Sequence, residues 1–311
     1  MTDLQRYILE EWAEEYQEGR VNRREFLRRI AVFSGGAAAG TSVLGSLGLA
    51  ASVEEIAEAA SGSAPIRAQA SGVTVPPNDP AIEAGMVTAG AAGTSVLGYL
   101  ARPKDKPRAP GIVVVHENRG LLEHHKDVAR RLAKAGYVAL AVDLASPGGG
   151  TDKFTDSAQV TALLGQTPPE QLVAMLNAGV GYLKGLPTVW STRLGTVGFC
   201  FGGGMVWRLA TQNADLRAAV PFYGPNPPLD DVPKIRAAVL ALYGALDERL
   251  DAGIPVILEA LDKARVVHDM VIYPGANHAF FNDTGPSYNP GAAKDAWERT
   301  LAWFGRWLAA A

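Results

Sequence analysis

Covalent reinforcement is almost absent from this chain, which has one cysteine, Cys200, among 311 residues. No intrachain disulfide can form, and no cysteine-based metal cluster can be built. A lone thiol leaves the redox compartment open, because it tolerates an oxidising space. Neither sign of charge dominates. The formal net charge is −3, and no basic stripe or interleaving of basic and aromatic residues runs through the body of the chain. A nucleic-acid surface is therefore not expected. No internal repeat with a period of roughly 20–50 residues is visible, which excludes solenoids and propellers. What remains is a globular composition, 48% hydrophobic and 20% charged, with 34 glycines.

The N-terminal part is distinct. Residues Asn22 to Arg29 read NRREFLRR and precede an uncharged run from Ile30 to Val53, rich in Ala, Gly, Ser and Leu. A basic segment before a run of small apolar residues is the layout of an export signal. The pair Arg23-Arg24 followed by Phe26-Leu27 resembles the bacterial twin-arginine signal, an address read by the export machinery. The alternative is an amphipathic helix or membrane anchor, since the run approaches the ~20 residues that span a bilayer; its many Gly and Ser residues make a weak span. The membrane is then a partner only through an uncleaved signal. Before the arginines, Met1 to Arg20 form a long acidic prefix of helical character (LQRYILEEWAEEY). Cleavage candidates are Ala68-Gln69-Ala70 ahead of Ser71, or the earlier Ala50-Ala51. The expected division is a signal region over 1–53, an Ala-, Ser- and Pro-rich linker over 54–80, and a catalytic domain over 81–311. About the first 70 residues are set aside from the fold.

From about residue 81, strand-like and helix-like segments alternate. MVTAG and TSVLGYLA, joined through Ala91-Ala92-Gly93, predict a hairpin. Gly111 to Val115 is a short β-branched run suited to a strand buried on both faces. Leu121 to Ala135 carries Val128, Leu132 and Ala135 at helical spacing, and Gly136 follows as a stop. The alternation continues with strands at YVALAVDL, LGTVGF, AAVPFY, AAVLALYG and HDMVIYP. Helices are expected over Pro168 to Leu183, from Gly202 to Ala210, over Ile254 to Arg265 and over Ala292 to Leu308. The pattern predicts one α/β domain: a mostly parallel sheet with helices on both faces and an N-terminal β-hairpin.

Function in such sheets sits at the carboxyl ends of the strands. The residues there are His116-Glu117-Asn118, Asp143, Cys200, Tyr223, Asp247 and His278. Gly198-Phe-Cys200-Phe-Gly202 has the form G-x-C-x-G between a strand and a helix. It corresponds to the G-x-S-x-G elbow of hydrolases, whose glycines allow a strained turn that exposes a nucleophile. The backbone N–H of Phe201 then lies at a helix N-terminus, where it can bind an oxyanion, and the helix dipole favours a thiolate. The segment lacks the Lys-Ser/Thr of a P-loop and the spacing of a dinucleotide site. A thiol nucleophile needs a base, and the base an orienting acid. Asp247 and His278 follow later strands, and the order nucleophile, acid, histidine is that of the α/β-hydrolase fold.

The body from about Ala81 onward resembles the dienelactone hydrolase family, also known by its carboxymethylenebutenolidase activity. The resemblance rests on VVVHENRGL, DVARRLAKAGYVALAVDL, GFCFGG, YGALDERL, PGANHAFFNDTG and AAKDAWERTLAWF. It implies Cys200 as nucleophile, His278 as general base and Asp247 as the residue that orients it, with no cofactor. It implies that Glu117 lies near the resting thiol and that the Asn118 backbone N–H is the second oxyanion donor. Arg119 is placed to pair with Glu117 or with a substrate carboxylate. Family members acting on dienelactone hold its carboxylate with two arginines. Here one position falls in Asp143-Leu-Ala-Ser-Pro147, without arginine, and the other is Asn282. Tyr223 and Trp207 either shape the pocket or fill the core. His116, His124 and His125 lack the spacing of a metal site; the latter two read as structural residues at a helix start.

The expected activity is hydrolysis of a small ester or lactone by a Cys-His-Asp triad. The alternative is an exported, non-catalytic α/β-hydrolase scaffold that binds its ligand; a peptidase or carbon–halogen hydrolase fits Cys200 and Glu117 less well. The expected location is periplasmic or extracellular, membrane-anchored if the signal is retained. Replacing Arg23-Arg24 by Lys-Lys is expected to leave the protein in the cytoplasm. Cell fractionation checks this, and unchanged location would rule the signal out.

Overall fold

The computed structural model describes residues 1–61, 73–91 and 94–309. Its centre is an eight-stranded sheet made of β1 (Ile82–Ala91), β2 (Thr94–Pro103), β3 (Ala109–Val115), β4 (Val138–Asp143), β5 (Val189–Phe199), β6 (Leu216–Phe222), β7 (Ala238–Gly244) and β8 (His268–Tyr273). The spatial order is β1-β2-β4-β3-β5-β6-β7-β8. β1 and β2 form the expected antiparallel hairpin, and β2 also runs antiparallel to β4. Its turn residues Ala92 and Gly93 lie outside the described residues. The other neighbours are parallel, with Val114 of β3 opposite Ala141 of β4 on one side and Val197 of β5 on the other. All six residues of β4 and all seven of β7 are buried. Continuous apolar runs of this kind belong to strands covered on both faces. Because these strands are parallel, their C-terminal ends emerge along one edge, and the residues after β3, β5, β7 and β8 are brought together there.

The helices follow from the same logic. Among those flanking the sheet, α5 (Glu123–Lys134) buries Val128, Ala129, Leu132 and Ala133. Gly136 lies just beyond it at φ +99°, a conformation that disfavours any other residue. α7 (Pro169–Gly185), α8 (Phe201–Gln212), α10 (Ile254–Ala264) and α11 (Pro290–Trp307) agree with the expected helices to within a few residues. Two further helices were not anticipated, the single-turn α9 (Glu248–Asp251) and the longer α6 (Ser157–Gln166). The alternation of small and apolar residues in α6 is poorly marked, but Asp156 caps it by accepting from the Ala158 N–H at 2.9 Å.

Residues 1–61, which were set aside with the signal and linker, are folded against the body. They contain α1 (Asp3–Gln17), α2 (Arg23–Ser34), α3 (Ala37–Ser46) and α4 (Val53–Ala60). Leu4, Ile8, Leu9 and Trp12 of α1, with Phe26, Leu27 and Ile30 of α2, are buried and join the apolar cluster that continues into the sheet. Arg28 is buried against Glu25 and Asp156, and Arg29 against Glu15 and Glu25. By contrast, Arg23 and Arg24 are exposed in the first turn of α2. Residues 1–61 therefore belong to the packed structure, whereas 62–72 lie outside the described residues. The uncharged run is broken at Gly35 and Gly36 (φ +78° and +149°) and again at Gly48 (φ +69°). No helix among the described residues is long and apolar enough to cross a membrane. Of the cleavage candidates, Ala68-Gln69-Ala70 lies outside the described residues. Ala50 lies between α3 and α4, where its carbonyl accepts from Arg23 at 3.1 Å.

The start of α8 is held against the sheet by backbone-to-backbone approach. A Cβ on Gly203 would collide with the carbonyl oxygen of Phe222 and with Gly224. Backbone cannot move aside as a side chain can, so Gly203→Ala is expected to destabilise the protein by about 1–3 kcal/mol. For a chain of this size that corresponds to a fall in Tm of roughly 2–10 °C, measurable by calorimetry.

Candidate active site

Cys200 sits between β5 and α8 at φ +57°, ψ −122°, in backbone space that a side-chain-bearing residue occupies at a cost of about 1–3 kcal/mol. The turn is over-determined by its surroundings. The Cys200 N–H donates to the Phe222 carbonyl at 3.1 Å, and the Cys200 carbonyl accepts from Gly204 at 3.2 Å. Gly198 and Gly202 are required because a Cβ on the former would meet the Gly202 carbonyl. A Cβ on the latter would meet the carbonyls of Val115 and His116. These contacts also fix the end of β5 against the end of β3, which carries Glu117, Asn118 and Arg119.

His278 and Asp247 follow β8 and β7. The Asp247 Oδ2 lies 2.6 Å from the His278 Nδ1, and both residues are buried. The other ring nitrogen, Nε2, is buried and lacks a hydrogen-bond partner. Burial on its own would depress the imidazolium, but the Asp247 carboxylate, with a further contribution from Cys200, more than offsets this and holds His278 well above the usual range. Burial likewise works against the Asp247 carboxylate, yet His278 and Arg249 keep it below its ordinary value. A raised histidine stabilises the fold fully below the ordinary imidazole pKa, and that stability is lost as pH rises through the folded value. A lowered aspartate stabilises above the ordinary carboxylate range and loses that as pH falls through its folded value. The pair therefore favours the folded chain across the window between the two.

Two residues from outside the body reach the thiol. Cys200 donates to the Glu11 carboxylate at 3.4–3.5 Å, and the Tyr7 hydroxyl is 3.4 Å from the sulfur. Burial and the adjacent Glu11 push the thiol up to about 11, against the opposing pull of His278 and the position at the start of α8. Burial also lifts the Glu11 carboxyl above its ordinary value. Glu11, Cys200 and His278 bring a carboxylate oxygen, the sulfur and a ring nitrogen within 4.8 Å of one another. A cavity of about 350 Å³ adjoins them, lined among others by Glu15, Glu117, Asn118 and Arg119.

The remaining residues singled out in the sequence divide into those at this cavity and those beneath it. Glu117 faces the cavity, but its Oε2 accepts from Asn282 Nδ2 at 2.8 Å and its Oε1 has no partner. The carboxylate hydrogen-bonded to the thiol is Glu11; Glu117 lines the same cavity, and its charge adds to the rise of the thiol. Arg119 pairs with Glu15 at 3.3 Å, a partner that was not foreseen. Asn118 donates through its side chain to Glu11 at 3.1 Å, and its carbonyl accepts from Thr161 of α6 at 2.8 Å, which fixes the loop after β3. The Phe201 N–H belongs to the first turn of α8, beside the sulfur's own residue.

Tyr223 is fully buried, with its ring 5.1 Å from that of His278. Trp207 is wholly in the core, its indole near Tyr243. Asp143 accepts from the Thr151 N–H and hydroxyl at 2.7 and 2.8 Å and organises the loop after β4. His116 accepts from the Leu144 N–H at 3.0 Å, His125 from the Glu117 N–H at 3.2 Å, and His124 pairs with Asp283 at 2.9 Å. These three histidines brace the loops around the site. Tyr7, Glu11, Glu15 and Arg249 were missed. Tyr7, Glu11 and Glu15 recur every four residues on one face of α1, the only signal available, and in a sequence such a face is indistinguishable from a solvated one.

Comparison with known proteins places the body of the chain among relatives. The model of the family described as the dienelactone hydrolase family matches residues 96–308. A protein of Methylorubrum extorquens, provisionally named a carboxymethylenebutenolidase, is 38% identical over 222 residues, covering 66% of this chain and 75% of its own. A second of that provisional name, from Escherichia coli O157:H7, is 34% identical over 78% of this chain and 94% of its own. The crystal structure of a provisional dienelactone hydrolase from Klebsiella pneumoniae superposes with a TM-score of 0.66 at 35% identity. It covers 73% of this chain and 99% of its own.

The link between Asp247 and His278 is directly testable. Asp247→Asn removes the charge that supports the imidazolium, so the His278 ring is expected to titrate lower by NMR. Ester hydrolysis should fall about a hundred-fold or more. A His278 titration that does not move would refute the coupling.

Proposed function

Because the chain belongs to the dienelactone hydrolase family, we propose that it hydrolyses small esters or lactones with Cys200 as nucleophile, His278 as base and Asp247 as the residue that orients His278. The observation that carries this reading is the buried Asp247–His278 contact of 2.6 Å, with the opposite ring nitrogen unpartnered beside Cys200. His278 Nε2 takes the thiol proton as sulfur attacks the carbonyl carbon. The resulting oxyanion is held by the backbone N–H groups of Asn118 and Phe201. Collapse breaks the acyl–oxygen bond, and the proton on His278 passes to the leaving alkoxide. Water then attacks the thioester, His278 accepts its proton, and the carboxylic acid leaves as the thiol is restored. The chemistry needs no cofactor.

Selectivity separates this chain from the dienelactone-cleaving members. Asn282 stands at one of the two arginine positions and is engaged by Glu117, and the Asp143-Leu-Ala-Ser-Pro147 segment supplies no arginine at the other. The substrate is accordingly proposed as an ester or lactone in general. Export through the twin-arginine pathway is proposed alongside. It is supported by the exposure of Arg23 and Arg24 at the start of α2, where a receptor can reach them, while Arg28 and Arg29 are buried.

Exposure to p-nitrophenyl esters and simple lactones is expected to give slow turnover and a covalent acyl adduct on Cys200 detectable by intact-protein mass spectrometry. Cys200→Ala should abolish both. Hydrolysis that survives intact in that variant would overturn the mechanism.

A further inference from the structure

We propose that α1 is an inhibitory plug, seated on Cys200 in the full chain, and that turnover requires this helix to leave the site. The proposal rests on Cys200 as the nucleophile. Tyr7, Glu11 and Glu15 are spaced four residues apart and therefore line one face of the helix. That face contacts the site at successive turns. The Tyr7 hydroxyl lies 3.4 Å from the Cys200 sulfur, Glu11 accepts from the thiol and from the Asn118 side chain, and Glu15 pairs with Arg119. Glu14 fastens the helix from its flank by pairing with Arg249 at 3.1 Å, whose guanidinium lies 4.8 Å from the centre of the Tyr7 ring. Cys200 is left 2% exposed.

The consequence is both steric and chemical. The thiol donates to Glu11, so the carboxylate competes with the adjacent His278 for the sulfur's proton. A carbonyl carbon approaching the sulfur must displace the Glu11 carboxylate and the Tyr7 hydroxyl. Nothing in the family fold itself requires the helix. The family match begins at residue 96, and the Klebsiella pneumoniae relative is matched over 99% of its own length while leaving about a quarter of this chain uncovered. The anchors nearest the site are charges: Glu14 pairs with Arg249, and the buried Glu15 with Arg119 and with Arg29 of α2. On the export reading, the plug lies on the same segment as the signal, so removal of the signal would also open the site.

The test uses the full chain. Glu14→Lys with Glu15→Lys places two cations against Arg249 and Arg119 and should expel the helix. The rate of Cys200 alkylation by iodoacetamide, followed by intact mass, is expected to rise about ten-fold or more as the uncovered state becomes populated. Hydrolysis of p-nitrophenyl acetate should rise in parallel. A second route changes no residue of the helix: a specific protease site is inserted after Ser61, the folded protein is cut, and the cut protein is diluted. The cut protein should react faster than the uncut. Alkylation that is no faster by either route overturns the plug. So does hydrolysis that is brisk in the intact chain and lost when the helix is freed. Faster alkylation without hydrolysis by any form would uphold the plug and instead defeat the esterase reading.

Discussion

Everything at this site hangs on the strained turn that carries Cys200. At φ +57° the residue leaves β5 and enters α8 in a single step, which lifts the sulfur above the sheet edge and aims the first turn of the helix at it. The strain is tolerated because the backbone around it cannot relax. Gly198, Gly202 and Gly203 let the turn, the end of β3 and the end of β6 approach to backbone contact, and any Cβ at these positions would push them apart. The same close approach sets the loop of Glu117, Asn118 and Arg119 beside the sulfur. Geometry at the nucleophile and stability of the central sheet are therefore one problem with one solution.

The second constraint is charge in a dry place. Asp247, Glu11, Glu15 and Glu117 crowd around the site, with Arg119, Arg249 and the His278 imidazole set among them. Burial amplifies each interaction and penalises each unpaired charge. Asp247 spends its influence on His278, whereas Glu11 works against the thiolate and, with burial, pushes the thiol up to about 11. The resting arrangement thus stabilises the protonated nucleophile, while Asp247 gives His278 the affinity to take that proton. An open site without Glu11 would lose the first of these and keep the second, which is the electrostatic sense of a covered enzyme.

Legibility in the sequence followed the range of the interaction. Val113, Val114 and Val115 declare a doubly buried strand by composition alone, and Gly136 announces a helix end because its φ suits no other residue. Cys200, Asp247 and His278 could be nominated because a parallel sheet sends the residues after its strands to one edge. The partners they acquire were less predictable. Glu117 was expected near the thiol and lines its cavity, but its hydrogen bond comes from Asn282 and the thiol's own partner is Glu11. Arg119 was left between Glu117 and a substrate carboxylate, and pairs with Glu15. Side-chain pairing across more than a hundred residues leaves no local pattern, since several carboxylates compete for each cation and only their placement in space decides.

The N-terminal segment draws this line most sharply. Its acidic, aromatic-bearing helix and its exposed arginine pair are readable from residue order, because helical spacing and a basic cluster before an uncharged run are local properties. That one face of the helix lies against Cys200 is a property of tertiary structure. A surface of glutamates is soluble anywhere, and here it is buried only because Arg119, Arg249 and Asn118 stand opposite it. By itself the sequence determined a parallel α/β sheet with a cysteine at its nucleophile turn. The tertiary structure alone decided that this cysteine rests under the chain's own first helix, because the match of charges that seats the helix exists only once distant strand ends have been brought together.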